Sequence, residues 1–189
     1  MIPESEASGL LSEMYAQAMT PHGTVDNVMK VHSLRPLTMQ GHVALYKSVL
    51  HNSDLTLPLY LLEVVASYTS ILNKCDYSLT HHFMNVRKLL NDRGRSDEIY
   101  AALQEHRPQK IFKGKELAIL KYAARLTTKV STMREDDVLA LRDAGCDDGE
   151  ILEVNQVVAY FNYSNRLLNG LGVTTEGDAI GYYSELQGT

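Results

Sequence analysis

The run from Leu59 to Leu72, LYLLEVVASYTSIL, constrains this chain more than any other segment. It is apolar almost all round, so a helix built from it leaves no face for water. Such a helix has to lie at the centre of the fold, with other helices wrapped around it. It is also well short of the roughly 20 apolar residues that cross a bilayer. Thr56 is the expected N-cap, with Pro58 in the first turn, where a missing N–H is harmless.

The rest of the chain supplies the wrapping. Leu10, Leu11, Met14 and Tyr15 form a helical stripe between Ser8 and Met19. Residues 20–27 read as a loop, and Met29 to Leu34 as one helical turn. Pro36 opens a helix to Leu50 whose expected core positions are Leu37, Met39, Val43, Leu45, Tyr46, Val49 and Leu50. After a weak stop at Asn73–Lys74, another helix starts near Cys75 and runs to Leu90. Residues 91–97 read as a loop, and Ser96 to Leu103 as a short helix. Glu116 to Val130 is amphipathic, with Leu117, Leu120, Ala124 and Leu126 facing inward. Thr132–Glu135 and Asp147–Glu150 are both spaced as capping boxes, and Gly145 suits the helix end between them. The last long helix ends near Asn169, stopped by Gly170 and Gly172. The tail, 173–189, reads as irregular, and its Tyr182–Tyr183 pair is expected to dock on a neighbour.

No alternating strand pattern is present, so the fold class is all-α, with roughly seven to eight helices in a single domain over residues 1–189. Hydrophobic residues make up 44% of the chain, enough for a core without staples. The net charge of −5 and the lack of basic runs argue against nucleic-acid and membrane-surface partners. Two cysteines, Cys75 and Cys146, are too few for a secreted disulfide framework, and no signal peptide is visible. The expectation is a cytoplasmic protein. Cys146, beside Gly145, reads as a surface or C-cap residue unconnected with Cys75.

The chemistry gathers at 71-ILNKCDYSLTHHF-83. Cys75, Ser78, Leu79 and His82 share one helical stripe, while His81 points about 100° away. Ser78 and His82 are within reach of each other across one turn. At a helix N-terminus, beside Lys74, the Cys75 thiol is expected to have a lowered pKa. Glu63 is a lone acid on the apolar helix; if buried, it is a candidate proton carrier. Each residue also has a plain structural reading: an inert packed thiol, a hydrogen-bonded core histidine, a carboxylate at a helix edge. As a set they make a proton-transfer group. A Ser78–His82–Glu63 hydrolase triad lacks the strained elbow and oxyanion hole of that chemistry. A metal set of His81, His82 and Glu63 fails because adjacent histidines diverge. No cofactor is implied.

These residues resemble the AhpD-like family, which includes alkylhydroperoxidase D and the carboxymuconolactone decarboxylases. The segment 63-EVVASYTSILNKCDYSLTHH-82 is similar to its Glu, C-x-x-C, His motif, with Ser78 at the second cysteine position. The phrase N-x-C-x-Y-x-L-x-H-H resembles the family's peroxidase-related branch. Residues 24–50, with their Arg-Pro, and 158-VAYFNYSNRLLNGLGV-173 extend the likeness outward. The resemblance implies a helical fold that assembles into trimers or hexamers. It also implies peroxide chemistry in which the second cysteine attacks, the first resolves, and Glu and His relay the proton. A serine cannot take the attacking role, because oxygen lacks sulfur's oxidation ladder.

Three functions follow. The first is a one-cysteine hydroperoxide reductase, an antioxidant enzyme using Cys75 with an external thiol reductant, assisted by Ser78, His82 and Glu63. The second is a non-redox, decarboxylase-like enzyme acting on a small organic acid or lactone through Glu63 and His82. The third is a degenerate member serving in binding or assembly.

Overall fold

The structure is a computed structural model that describes residues 1–183. The described residues form nine α-helices and three short 3-10 turns, without a strand. In chain order the helices are α1 (Leu10–Ala18), α2 (Asn27–Lys30), α3 (Pro36–Leu50), α4 (Leu59–Leu72) and α5 (Asp76–Leu90). They continue with α6 (Arg93–Gln104), α7 (Gly114–Thr128), α8 (Glu135–Asp143) and α9 (Asp148–Leu171). No helix among the described residues is long and apolar enough to cross a membrane.

Helix α4 is the axis of the fold. Every residue from Leu61 to Ile71 is buried, and α5, α7 and α9 pack around it. Each fully buried Leu or Val contributes about 1.5–3 kcal/mol relative to exposure, so an all-round apolar helix is stable nowhere else in the molecule. Helices α1 to α3 form a smaller layer with its own core of Leu11, Met14, Tyr15, Met29, Met39 and Val43, joined to the main one through Tyr46.

The break between α4 and α5 is a Schellman turn. Lys74 takes the left-handed conformation at φ 53°, and the Cys75 N–H returns to the Ser70 carbonyl at 2.9 Å. Cys75 is thus the residue after one helix and the N-cap of the next. Asparagines of α9 clamp this corner: Asn73 donates to the Asn162 and Asn165 side chains, and Asn169 donates to the Asn73 carbonyl.

Several expected boundaries move, each for a local reason. Thr56 does not cap α4; its N–H and hydroxyl both donate to Glu153, and Pro58 takes the N-cap place. The expected 91–97 loop is mostly helix, because the Asp92 carboxylate caps α6 by accepting from the Arg95 N–H. Thr132 sits in a 3-10 turn, and α8 starts two residues late, with Asp137 accepting the Arg134 N–H. The Asp147–Glu150 box forms as expected, both bonds present. Leu37 is 68% exposed, and Leu45 is also on the surface. Gly170 lies inside α9, and Gly172 ends it at φ 63°. Cys146 is buried, because the Schellman turn at Gly145 folds it back onto the core.

Residues 173–183 form an irregular strap returning over α2 and α5. The Asp178 carboxylate accepts from the Asn27 N–H at 3.0 Å and from the Tyr77 hydroxyl at 2.5 Å. The Asn27 side chain donates to the Thr174 and Glu176 carbonyls. Tyr182 docks on its own chain, against His51 and Tyr46. The remainder of the expected tail, 184–189, lies outside the described residues.

Candidate active site

Helix α4 points Glu63 at α5, where His82 and Asn85, one turn apart, meet it. The carboxylate is fully buried and accepts on both oxygens: from His82 Nδ1 at 2.7 Å and from Asn85 Nδ2 at 3.1 Å. A buried carboxylate needs such partners to remain ionised. With the Nδ1 proton held by the carboxylate, His82 Nε2 is left as the basic, proton-accepting nitrogen. Phe161 packs edge-on against the imidazole at 4.5 Å and fixes its plane.

A cavity of about 70 Å³ opens beside this pair. A water needs roughly 10–15 Å³ on this measure, so the space holds a molecule of about five or six non-hydrogen atoms. Its wall includes Ser78, His81, His82 and Asn85 from α5, Tyr160 from α9, and Tyr46 from α3. Tyr182 of the strap completes it, and Lys47 contributes a cation.

Ser78 and His82 therefore share one cavity, as their spacing predicts, but the serine's close partner is different. Its Oγ lies 2.9 Å from Ser70 Oγ on α4. Cys75 is not part of the cavity lining. It is buried with Tyr77 and Leu168, partly covered by Val28 and Val173. Burial pushes the Cys75 thiol pKa up, and nearby Asp76 adds to this. The backbone N–H groups of Ser78 and Tyr77 pull the other way without reversing it. The lowered thiol pKa expected from the helix N-terminus is thus corrected: desolvation exceeds the dipole.

His81 has its own place in the cavity wall. It stacks on Tyr77 at 4.8 Å and lies 3.5 Å from the Asp178 carboxylate. Burial raises the Asp178 pKa, but the nearby His81 ring and hydrogen bonds from Tyr77 and Asn27 outweigh it and hold the carboxyl below its usual range. Asp26, on the cavity's other side of His81, is pushed up to about 6, mainly by burial; His81 opposes the shift and Asp178 adds to it. Asp26 Oδ1 is buried without a hydrogen-bond partner. An acid with a raised folded value ionises first in the unfolded chain, so stability falls as pH rises from 3.8 to about 6. Asp26→Asn is expected to stabilise the fold at neutral pH by about 1–2 kcal/mol, allowing for partial exposure, and to do nothing below the ordinary carboxylate range. Thermal unfolding at both pH values checks this; equal effects at both would contradict it.

Asn85, Tyr46, Tyr160 and the strap were not among the expected site residues. Asn85 alone carried a readable signal, its i+3 spacing from His82.

The all-helical arrangement around α4 and α5 has the AhpD-like fold. Solved structures with this fold cover nearly the whole chain. One is an uncharacterized peroxidase-related protein from Silicibacter sp. TM1040, with 22% identity, 95% of this chain and 91% of that chain covered, and a TM-score of 0.78. A second, an AhpD-core peroxidase-related protein from Ralstonia eutropha JMP134, has 20% identity, coverage of 94% and 90%, and a TM-score of 0.80. A third is the debrominase Bmp8, with 16% identity, coverage of 93% and 90%, and a TM-score of 0.75. No family model matches the chain, and neither does any curated protein.

Proposed function

We propose that this chain is a non-redox acid–base enzyme acting on a small carbon acid or lactone, with His82 as the proton-transferring group and Glu63 as its orienting carboxylate. The observation that carries this reading is the division of the motif. Ser78 and His82 face the cavity, while the one motif thiol, Cys75, lies outside its lining under apolar cover. A buried thiol with a raised pKa is a poor nucleophile, whereas a carboxylate–imidazole pair at a cavity wall suits proton abstraction. Lys47 would meet a substrate carboxylate, and the Tyr46, Tyr160 and Tyr182 rings its apolar part. The fold does not select peroxide chemistry by itself, since one similar structure is a debrominase, also solved as a variant with 2,3,4-tribromopyrrole bound.

A second reading, thiol peroxidase activity at Cys75, is favoured by one feature: the backbone N–H groups of Ser78 and Tyr77, at the start of α5, act to lower the thiol pKa against burial. A single comparison separates the two. The protein is incubated in D₂O with a panel of small β-keto acids and unsaturated lactones, and separately with tert-butyl hydroperoxide and dithiothreitol. NMR reads deuterium incorporation and product. Under the acid–base reading a panel member turns over, and Cys75→Ala keeps its rate within about two-fold. Hydroperoxide consumption that vanishes in Cys75→Ala, with the panel inert, establishes the second reading instead.

A further inference from the structure

Tyr160 joins the cavity to a second set of buried polar groups. Its hydroxyl lies 2.8 Å from His42 Nε2. His42 Nδ1 lies 2.9 Å from His32 Nε2, and His32 Nδ1 lies 2.8 Å from Thr38 Oγ1. Both imidazoles are buried, and Thr38 is exposed. Four side chains from α3, α9 and the α2–α3 connection thus form one unbroken line from the cavity wall to the surface.

The direction of each bond can be derived. The Thr38 hydroxyl donates its single proton to the Arg35 carbonyl at 2.8 Å, so its oxygen can only accept from His32. His32 therefore carries its proton on Nδ1 and accepts at Nε2. His42 in turn carries its proton on Nδ1 and accepts at Nε2, and the Tyr160 O–H fills that position. Burial pushes His42 down to about 3, with His32 adding to the shift, and burial lowers His32 as well. Both rings are thus neutral, as a line of this kind requires. The Tyr160 oxygen keeps acceptor capacity at the cavity wall, beside Ser164.

We propose that Tyr160, His42, His32 and Thr38 form a proton path between the cavity and bulk solvent, a role that rests on acid–base chemistry taking place in that cavity. A proton released in the cavity bonds to Tyr160 Oη as the tyrosine's own proton passes to His42 Nε2. The His42 Nδ1 proton passes to His32 Nε2 and the His32 Nδ1 proton to Thr38 Oγ1, while the threonine hydroxyl breaks its bond to the Arg35 carbonyl and gives its own proton to water at the exposed end. No group in the line changes net charge. Both imidazoles end as the opposite tautomer, with every bond reversed. The reversed line is set to carry one proton inward, so a turnover that removes one proton and returns one restores it.

The test needs no substrate. Full-length protein with ¹⁵N-labelled histidine is observed by NMR, reading the tautomer of each ring and the exchange of ring N–H with water. His32 and His42 are expected to be neutral with the proton on Nδ1. The His42 ring proton is expected to exchange faster than the backbone amides around it. Thr38→Val, which keeps the side chain's shape and removes the hydroxyl, should slow that exchange by about ten-fold or more, and Thr38→Ser should restore it. An Nε2–H tautomer on His32 in the wild-type protein would overturn the path, as would unchanged exchange in Thr38→Val. Failure of the substrate panel alone removes the acid–base reading and leaves this measurement standing.

Discussion

Glu63→Gln is expected to lower turnover by about 100-fold or more while the protein still folds. The carboxylate accepts from His82 on one oxygen and from Asn85 on the other. A glutamine has one accepting oxygen, so one of the two donors must face its NH₂ group. The imidazole loses both its negative partner and its fixed tautomer, and Nε2 becomes a weaker base. The fold loses one charge-assisted bond inside the core, at a cost of about 1–3 kcal/mol. Measuring kcat beside thermal unfolding separates the two effects. A fall in kcat of less than about ten-fold in a folded variant would remove Glu63 from the mechanism.

Ser78→Cys is expected to create hydroperoxide reduction that the natural chain performs poorly or not at all. Ser78 lines the cavity beside His82, so a thiol there meets solvent-borne peroxide where Cys75 does not. The new thiolate would attack one peroxide oxygen, become a sulfenic acid and release the alcohol. Cys75, one helical turn earlier, would then condense with it to give a disulfide and water, which dithiothreitol reduces. Consumption of tert-butyl hydroperoxide, which is small enough for the cavity, should rise by about ten-fold or more over the natural chain, and mass spectrometry should find a Cys75–residue 78 disulfide after limiting peroxide. A variant that folds but gains neither would show that position 78 is not at the reacting end of the cavity.

Much of the arrangement is legible in the sequence because it is local or periodic. The burial of α4 follows from its lack of a polar face. The placement of Glu63 against His82 follows from two helices joined by a sharp turn, with the acid and the base at matching heights. Two kinds of information are not written this way. One is competition between short-range partners. Thr132 and Thr56 both have the right neighbours to cap a helix, yet Asp137 and Glu153 supply stronger, charged acceptors nearby. The other is contact over long separations. His42 and Tyr160 are 118 residues apart in the chain, and neither has a neighbour whose spacing points to the other. The Cys75 thiol belongs to the same class: its helix-end position is visible locally, but the cover from Leu168 and Val173 that outweighs it comes from the far end of the chain.

Asn85 has a consequence beyond satisfying Glu63. Its amide nitrogen donates to the carboxylate, while its amide oxygen accepts the Tyr182 N–H of the strap at 2.7 Å. The two ends of one planar group are thus committed to two different tasks, and neither can turn without the other. With the strap seated, the amide is locked in the orientation that the carboxylate needs. The opposite orientation would turn an acceptor toward an anion and a donor toward the Tyr182 N–H, losing both bonds at once. The strap therefore does more than cover the cavity: through Asn85 its backbone fixes the orientation of a group that holds the Glu63–His82 pair.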